Sequence, residues 1–204
     1  DTKVLLLPKF IRMSIKNIFE MQLLSFIQEI NKPMIKSFKF CPNCGHSIDQ
    51  FDFRKMSCNN CDLVYYQNIA SAVAVILRKN DKILFTVRNK EPKKGMLDLA
   101  GGFTDPEESV ERTCQREIEE ELGITIPLEN FKYFLSRPND YEYKGIPYKT
   151  CDLAFVADFP DEEIVLEKEE ISAVKWIAID DIKLEEIGFD SLRSVIEMYI
   201  KSVK

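Results

Sequence analysis

Glu117, Glu120 and Glu121 fall in the last turn of a predicted helix that ends at Leu122-Gly123, where carboxylates are least favoured. A helix C-terminus carries roughly half a negative charge, so each anion near it costs on the order of 0.3–1 kcal/mol. At about 100° per residue, Glu117 and Glu121 stand one turn apart, Glu120 lies close by and Glu119 points away. Three carboxylates therefore converge, and a divalent cation held by oxygen ligands is the simplest species to meet them. Glu121 also falls within the apolar stripe of Val110, Cys114 and Ile118. Left unpaired there it would pay for its desolvation or become protonated. The alternative is an exposed acidic helix end, with Arg112 and Arg116 forming i,i+4 pairs.

The helix itself has clear limits. Ser109 is the favoured N-cap, with Asp105-Pro106 as an earlier start signal, and Gly123 suits the left-handed position after the last turn. Around it the chain reads glycine (Gly102), five residues, Glu108, seven residues, then Arg116-Glu117-Ile118-x-Glu120-Glu121-x-Gly123-Ile124. This pattern resembles the Nudix box at every defined position. The resemblance implies an α/β fold, the Nudix α/β/α sandwich, and a loop–helix–loop that binds Mg²⁺ or Mn²⁺. It implies a pyrophosphohydrolase, an acid anhydride hydrolase that cleaves a diphosphate linked to another moiety. Matched position by position, Glu117, Glu120 and Glu121 are catalytic metal ligands and Arg116 orients one of them by a charge-assisted hydrogen bond. Gly101 matches a glycine whose carbonyl joins the metal shell, and Glu108 is expected to brace the loop. Glu170, in the stretch Glu169-Glu170-Ile171 before a strand ending at Trp176, resembles a glutamate that joins the metal site in zinc-containing relatives. The general base stays open between a box glutamate and one on a later loop. Charge explains the cluster, since carboxylates serve an anionic diphosphate only through bridging cations.

Cys41-Pro-Asn-Cys44 and Cys58-Asn-Asn-Cys61 form two C-x-x-C knuckles separated by 13 residues. That spacing is close to a Cys₄ zinc ribbon, and four thiolates close a tetrahedral site, so structural Zn²⁺ is expected from Cys41, Cys44, Cys58 and Cys61. His46, the single histidine, is expected to face solvent. A ribbon followed by a Nudix domain resembles the NADH pyrophosphatase branch, whose S-Q-P-W-P-F-P-x-S motif is replaced here by Ser136-Arg-Pro-Asn-Asp-Tyr141-Glu-Tyr143. The resemblance thus implies a nucleoside diphosphate derivative as substrate, of the ADP-ribose, nucleotide-sugar or dinucleotide class, without singling out NADH. Tyr141 and Tyr143 are candidates for contact with a base, and Arg88 and Phe103 for phosphate and base contact. A Nudix module that senses a nucleotide without cleaving it, with the ribbon docking a partner, is the alternative function.

The elements that must position these groups follow from pattern. Ala70–Leu77 and Ile83–Arg88 read as strands joined by a turn at Lys79-Asn80-Asp81. Phe131–Ser136, Tyr148–Asp158 and Val174–Ile179 are further strands, and Ser191–Val203 has the spacing of a final helix. The expected layout is an N-terminal extension over 1–36, the ribbon over 37–68 and the Nudix domain over 69–204. With 45% apolar residues the chain can bury a core, and a net charge of −6 argues against nucleic acid or a membrane surface as partner. A homodimer is the expected assembly, by analogy with relatives. Cys114 and Cys151 read as reduced core residues, favouring the cytoplasm. Residues 2–19 carry four basic and no acidic side chains, so import into an organelle through residues 1–33 is a second expectation.

Overall fold

The computed structural model describes residues 38–51 and 54–204. The extension and the import signal read in residues 1–36 lie outside these residues. The chain divides into two compact units, Asp1–Asn68 and Ile69–Lys204.

In the first unit three short strands, β1 (Gln50–Phe51), β2 (Lys55–Ser57) and β3 (Val64–Tyr66), form an antiparallel sheet in that order. Its small core is Cys41, Ile48, Met56 and Cys58, with Cys61 and Leu63 against it.

The second unit is built on a six-stranded mixed sheet between two helices. Its elements are β4 (Ala70–Lys79), β5 (Lys82–Arg88), β6 (Leu97–Asp98), α1 (Val110–Leu122), β7 (Lys132–Tyr143), β8 (Ile146–Asp158), β9 (Ile171–Ala178) and α2 (Asp190–Val203). Val73 to Leu77 of β4 are buried in succession, because both faces of that strand are covered. Val73, Val75 and Leu77 pack with Cys114, Ile118 and Leu122 of α1. Ala74 and Ile76 turn the other way, onto Leu192, Val195, Ile196 and Tyr199 of α2. The result is an α/β/α sandwich in which β4 runs parallel to β8 from Ala70 opposite Thr150 to Arg78 opposite Asp158.

Two departures from the sequence reading bear on function. β7 and β8 are longer than the apolar runs suggest and meet at a turn through Lys144 and Gly145, both at positive φ. Pro138 sits inside β7, which is tolerable because β7 is the edge strand and Pro costs no ladder bond on its outer side. Second, β4 and β5 pair only from Leu77–Lys79 to Lys82–Leu84 and then part. β5 continues with β9 and β6, whereas β4 continues with β8. The segment 97–103 spans the gap, pairing with β5 at Leu97 and Asp98 and bridging to β4 at Ala100 and Phe103. Among the described residues no helix is long and apolar enough to cross a membrane.

Candidate functional site

The parting strands open a cavity of about 650 Å³ whose wall includes the end of α1 and the segment 97–103. The Ser109 side chain caps the helix start by accepting from the Arg112 amide at 3.3 Å, and Gly123, at φ 69°, closes the end by donating to Glu119 O. No basic residue lies in the last turn, so the carboxylates there are left for other partners.

One partner is the spanning segment. The Gly101 amide donates to Glu121 Oε2 at 3.1 Å. The Val73 and Val75 amides donate to Gly102 O and Ala100 O, at 2.8 and 2.9 Å, which leaves the Gly101 carbonyl out of that ladder. Only glycine suits position 101: φ is +149° and a Cβ would stand 2.1 Å from Val73 O. At Gly102 a Cβ would fall 2.3 Å from Glu117 Oε1, so a bare backbone makes room for that carboxylate.

The other partner is Arg116. Its guanidinium donates to Glu108 Oε2 at 3.0 Å, Glu117 Oε1 at 2.8 Å, Glu120 Oε2 at 3.0 Å and Phe103 O at 3.1 Å. The hydrogen bonds from Arg116 to Glu108, joined by one from the Thr113 hydroxyl, hold the Glu108 carboxyl down at about 2 against the opposing effect of burial. Burial pushes Glu117 up, opposed by Arg116 and aided by the charges of Glu120 and Glu170. Burial raises Glu121 well above the ordinary range, opposed by the Gly101 amide and aided by Glu117, Asp98 and Glu170. Glu170 also lines the cavity, paired with Lys90.

One guanidinium thus serves Glu108, Glu117 and Glu120 at once, while Glu121 has only a backbone amide among its opposing causes. The donors are all hard oxygens, and a hard divalent cation fits both that set and the uncompensated charge. Among the described residues these carboxylates do not draw as close as the four cysteines, which gather within 4.8 Å; Glu120 is turned toward Arg116 with its side chain 58% exposed.

The four expected substrate contacts are placed differently from one another. Phe103 and Tyr141 line the cavity with ring centroids 5.5 Å apart. Tyr143 stacks on Tyr141 at 6.5 Å and is not part of the lining. Arg88 lines the cavity, but its Nη1 is engaged by Asp98 Oδ2 at 2.5 Å and its Nε by Pro92 O. Phe189, Asp98, Thr150 and Asp152 also line the cavity and were not singled out from the sequence. A charged residue inside the apolar run of β8 was the available signal for Asp152.

In the first unit, Cys41 Sγ lies 3.6 Å from Cys61 Sγ, and Cys44 Sγ 3.7 Å from Cys58 Sγ. Sulfurs about 2.3 Å from one tetrahedral ion would stand about 3.8 Å apart, so the cluster is able to hold a single metal ion. Side-chain and backbone amides of Asn43 and Asn60 point at these sulfurs. The His46 amide is the main cause lowering Cys44 to about 6, whereas burial pushes Cys41 up to about 11. His46 is exposed and outside the cluster.

A family profile described as the NUDIX domain matches residues 68–198. The chain is 32% identical over 150 residues to the NAD-capped RNA hydrolase NudC of Klebsiella pneumoniae, covering 73% of this chain and 55% of that protein. It is 32% identical over 164 residues to NudC of Haemophilus influenzae, covering 79% and 59%. The chain therefore spans little more than half the length of these relatives. A NUDIX hydrolase from Nitrosomonas europaea shares the fold with a TM-score of 0.60 at 21% identity, over 81% of this chain and 92% of that one. The NUDIX domain of Shewanella oneidensis NrtR, solved with ADP ribose, shares it with a TM-score of 0.55 at 22% identity, over 68% and 91%. The NudC relatives overturn one expectation. The net charge of −6 argues against nucleic acid as a partner, yet these relatives are named for hydrolysing capped RNA. The net charge of a whole chain averages in the carboxylates of the site and does not report the potential of a cleft. By the profile match and by the box on α1, the chain belongs to the Nudix family.

Proposed function

We propose that residues 69–204 form a divalent-metal-dependent hydrolase that cleaves the diphosphate of a nucleoside diphosphate linked to another moiety, with NAD-type dinucleotides and NAD-capped RNA ends as the leading substrate class. The observation that carries this is the convergence of Glu117, Glu121 and Glu120 on one cavity beside a single shared guanidinium. The names of the NudC relatives support the NAD-linked class.

Glu117, Glu120 and Glu121, with the Gly101 carbonyl and Glu170, would hold Mg²⁺ or Mn²⁺. Such ions supply charge neutralisation on the phosphates and activation of water. Arg116 keeps Glu117 and Glu120 on the cavity side through its two bonds from Nη1. Phe103 and Tyr141 offer ring faces and edges to a planar base, and excluding water there strengthens every charge interaction within. In the reaction water adds to one phosphorus, the bond from that phosphorus to the bridging oxygen breaks, and two monophosphates form. The proton released passes to one of the cavity carboxylates.

We infer a zinc ribbon over 37–68, in which Cys41, Cys44, Cys58 and Cys61 would hold Zn²⁺ and so tie the small sheet together. Cys114 and Cys151 are free thiols, which suits a reducing compartment such as the cytoplasm. The experiment that tests the function is product analysis after incubation with NAD⁺, ADP-ribose, nucleotide sugars and NAD-capped RNA, with and without Mg²⁺ or Mn²⁺. Metal-dependent release of monophosphates is expected. Tight binding with no product would instead mark a sensing module.

A further inference from the structure

A buried carboxylate to which the diphosphate chemistry gives no task lies in the same cavity. Asp152 in β8 is 7% exposed, and its two oxygens accept from Thr150 Oγ1 and Ser191 Oγ, each at 2.6 Å. Neither neighbouring arginine neutralises it. Arg88 is paired with Asp98, while Arg137, opposite Asp152 in the β7–β8 register, donates to Ser194 Oγ and Ser136 O. Ser191 lies in the first turn of α2, so the positive end of that helix also supports the charge.

Asp152 opens on the cavity because of strand alternation. Side chains two apart share a face, and Ala72 with Ala74, Thr150 with Asp152, and Asn139 with Tyr141 all line the cavity. Opposite Asp152 in the parallel register stands Ala72, whose methyl group leaves space beside the carboxylate. Three aromatic rings, of Phe103, Tyr141 and Phe189, line the same cavity. The backbone of Phe103 bridges to that of Ala72, the Tyr141 ring lies 5.5 Å from the Phe103 ring, and the Phe189 ring lies 6.0 Å from Tyr141 at 34°. Ring faces and edges in that wall suit a planar group, and a carboxylate oxygen is an acceptor of hydrogen bonds. With Asp98 lining the same cavity, an anionic group would meet two carboxyl groups.

We propose that Asp152 is a specificity-determining residue that accepts a hydrogen bond from an exocyclic NH₂ on a planar heterocycle at one end of the diphosphate substrate. This rests on the hydrolase reading of the same cavity. The NH₂ has two sources in a dinucleotide, the amine of a purine and the carboxamide of a pyridine, and a site built for such a donor rejects an analogue that lacks it.

Three substrates distinguish the sources: NAD⁺, nicotinic acid adenine dinucleotide, in which the carboxamide is a carboxylate, and nicotinamide hypoxanthine dinucleotide, in which the amine is a carbonyl. For the wild-type protein, kcat/KM is expected to fall at least about tenfold for one analogue, and that analogue names the source. In Asp152→Asn, whose amide can donate as well as accept, that penalty is expected to shrink to within about threefold. Calorimetric binding of the same three compounds to the wild-type protein in EDTA is expected to rank them in the same order, without relying on a variant that folds. Equal kcat/KM and equal affinity for all three, or an unchanged ranking in the variant, would overturn the assignment. If the wild-type protein hydrolyses none of them, the hydrolase reading falls instead. The calorimetric ranking then still decides: a preference for NAD⁺ supports the role of Asp152, and a flat ranking or no binding rejects it.

Discussion

The Gly101 amide donates to Glu121 Oε2 at 3.1 Å across 20 residues of sequence. That bond fixes the segment spanning the parted strands against the helix end that carries the carboxylates. Gly101→Ala should disturb both at once, because its Cβ would stand 2.1 Å from Val73 O at φ +149°. The expected loss of stability is about 1–3 kcal/mol, the usual cost of holding a non-glycine residue in such a backbone conformation. Turnover should fall roughly 100-fold, the typical effect of a misplacement of about 1 Å. Denaturant unfolding and initial rates measure the two effects separately, and a variant with wild-type rates would show that the close approach at Gly101 has no part in the site.

Arg116→Lys keeps the charge and loses the fork. The guanidinium reaches Glu108, Glu117, Glu120 and Phe103 O together, and an ammonium, with three donors on a flexible stem, cannot hold all four. We expect a kcat/KM lower by roughly 10- to 100-fold with a retained fold, as seen when a supporting partner of a site is weakened. Circular dichroism alongside kinetics checks this, and unchanged kinetics would mean that Glu117 and Glu120 need no bracing.

The pH dependence of stability should carry the mark of Glu108. Its carboxyl is held down at about 2 by Arg116, so its stabilising effect is present above the ordinary glutamate range. It is lost as pH falls from about 4.3 toward 2. Thermal unfolding of Glu108→Gln should therefore lie below wild type at pH 7, with the gap closing as pH falls through that window. A gap that stays constant would assign the loss to packing and not to charge.

Cys58→Ser removes one of the four sulfurs that gather within 4.8 Å. Elemental analysis of the purified protein should find about one zinc per wild-type chain, as a closed Cys₄ site requires, and markedly less in the variant. A wild-type protein without bound zinc would contradict the ribbon assignment.

The acidic cluster of the candidate site could be read from the sequence because it lies within one helix, where a period of 3.6 residues sets Glu117 and Glu121 one turn apart, and both line the cavity. Arg116 and the capping residues Ser109 and Gly123 belong to the same local pattern. The rest depended on strand register. Asp152 meets Ser191 across 39 residues, and Arg88 meets Asp98 because β5 turns from β4 to β6 and β9. Tyr141 and Tyr143 lie two apart on β7, yet only Tyr141 lines the cavity. The length of β7 was obscured by Pro138 and Asp140, residues that strands disfavour and that an edge strand accommodates.

In the proposed reaction the cavity at the end of α1 cleaves a diphosphate through its carboxylates. The direct test incubates wild-type protein and Glu121→Gln with NAD⁺ in H₂¹⁸O and Mg²⁺ or Mn²⁺, and reads the products by mass spectrometry. We predict nicotinamide mononucleotide and AMP, one of them carrying a single ¹⁸O, and no product in EDTA. In Glu121→Gln, which keeps the shape of the side chain, the rate should fall at least about 100-fold, as expected when a catalytic electrostatic contact is removed. Equal rates for the variant and the wild type, or product formed without a divalent cation, would show that these carboxylates and a bound cation do not carry the cleavage.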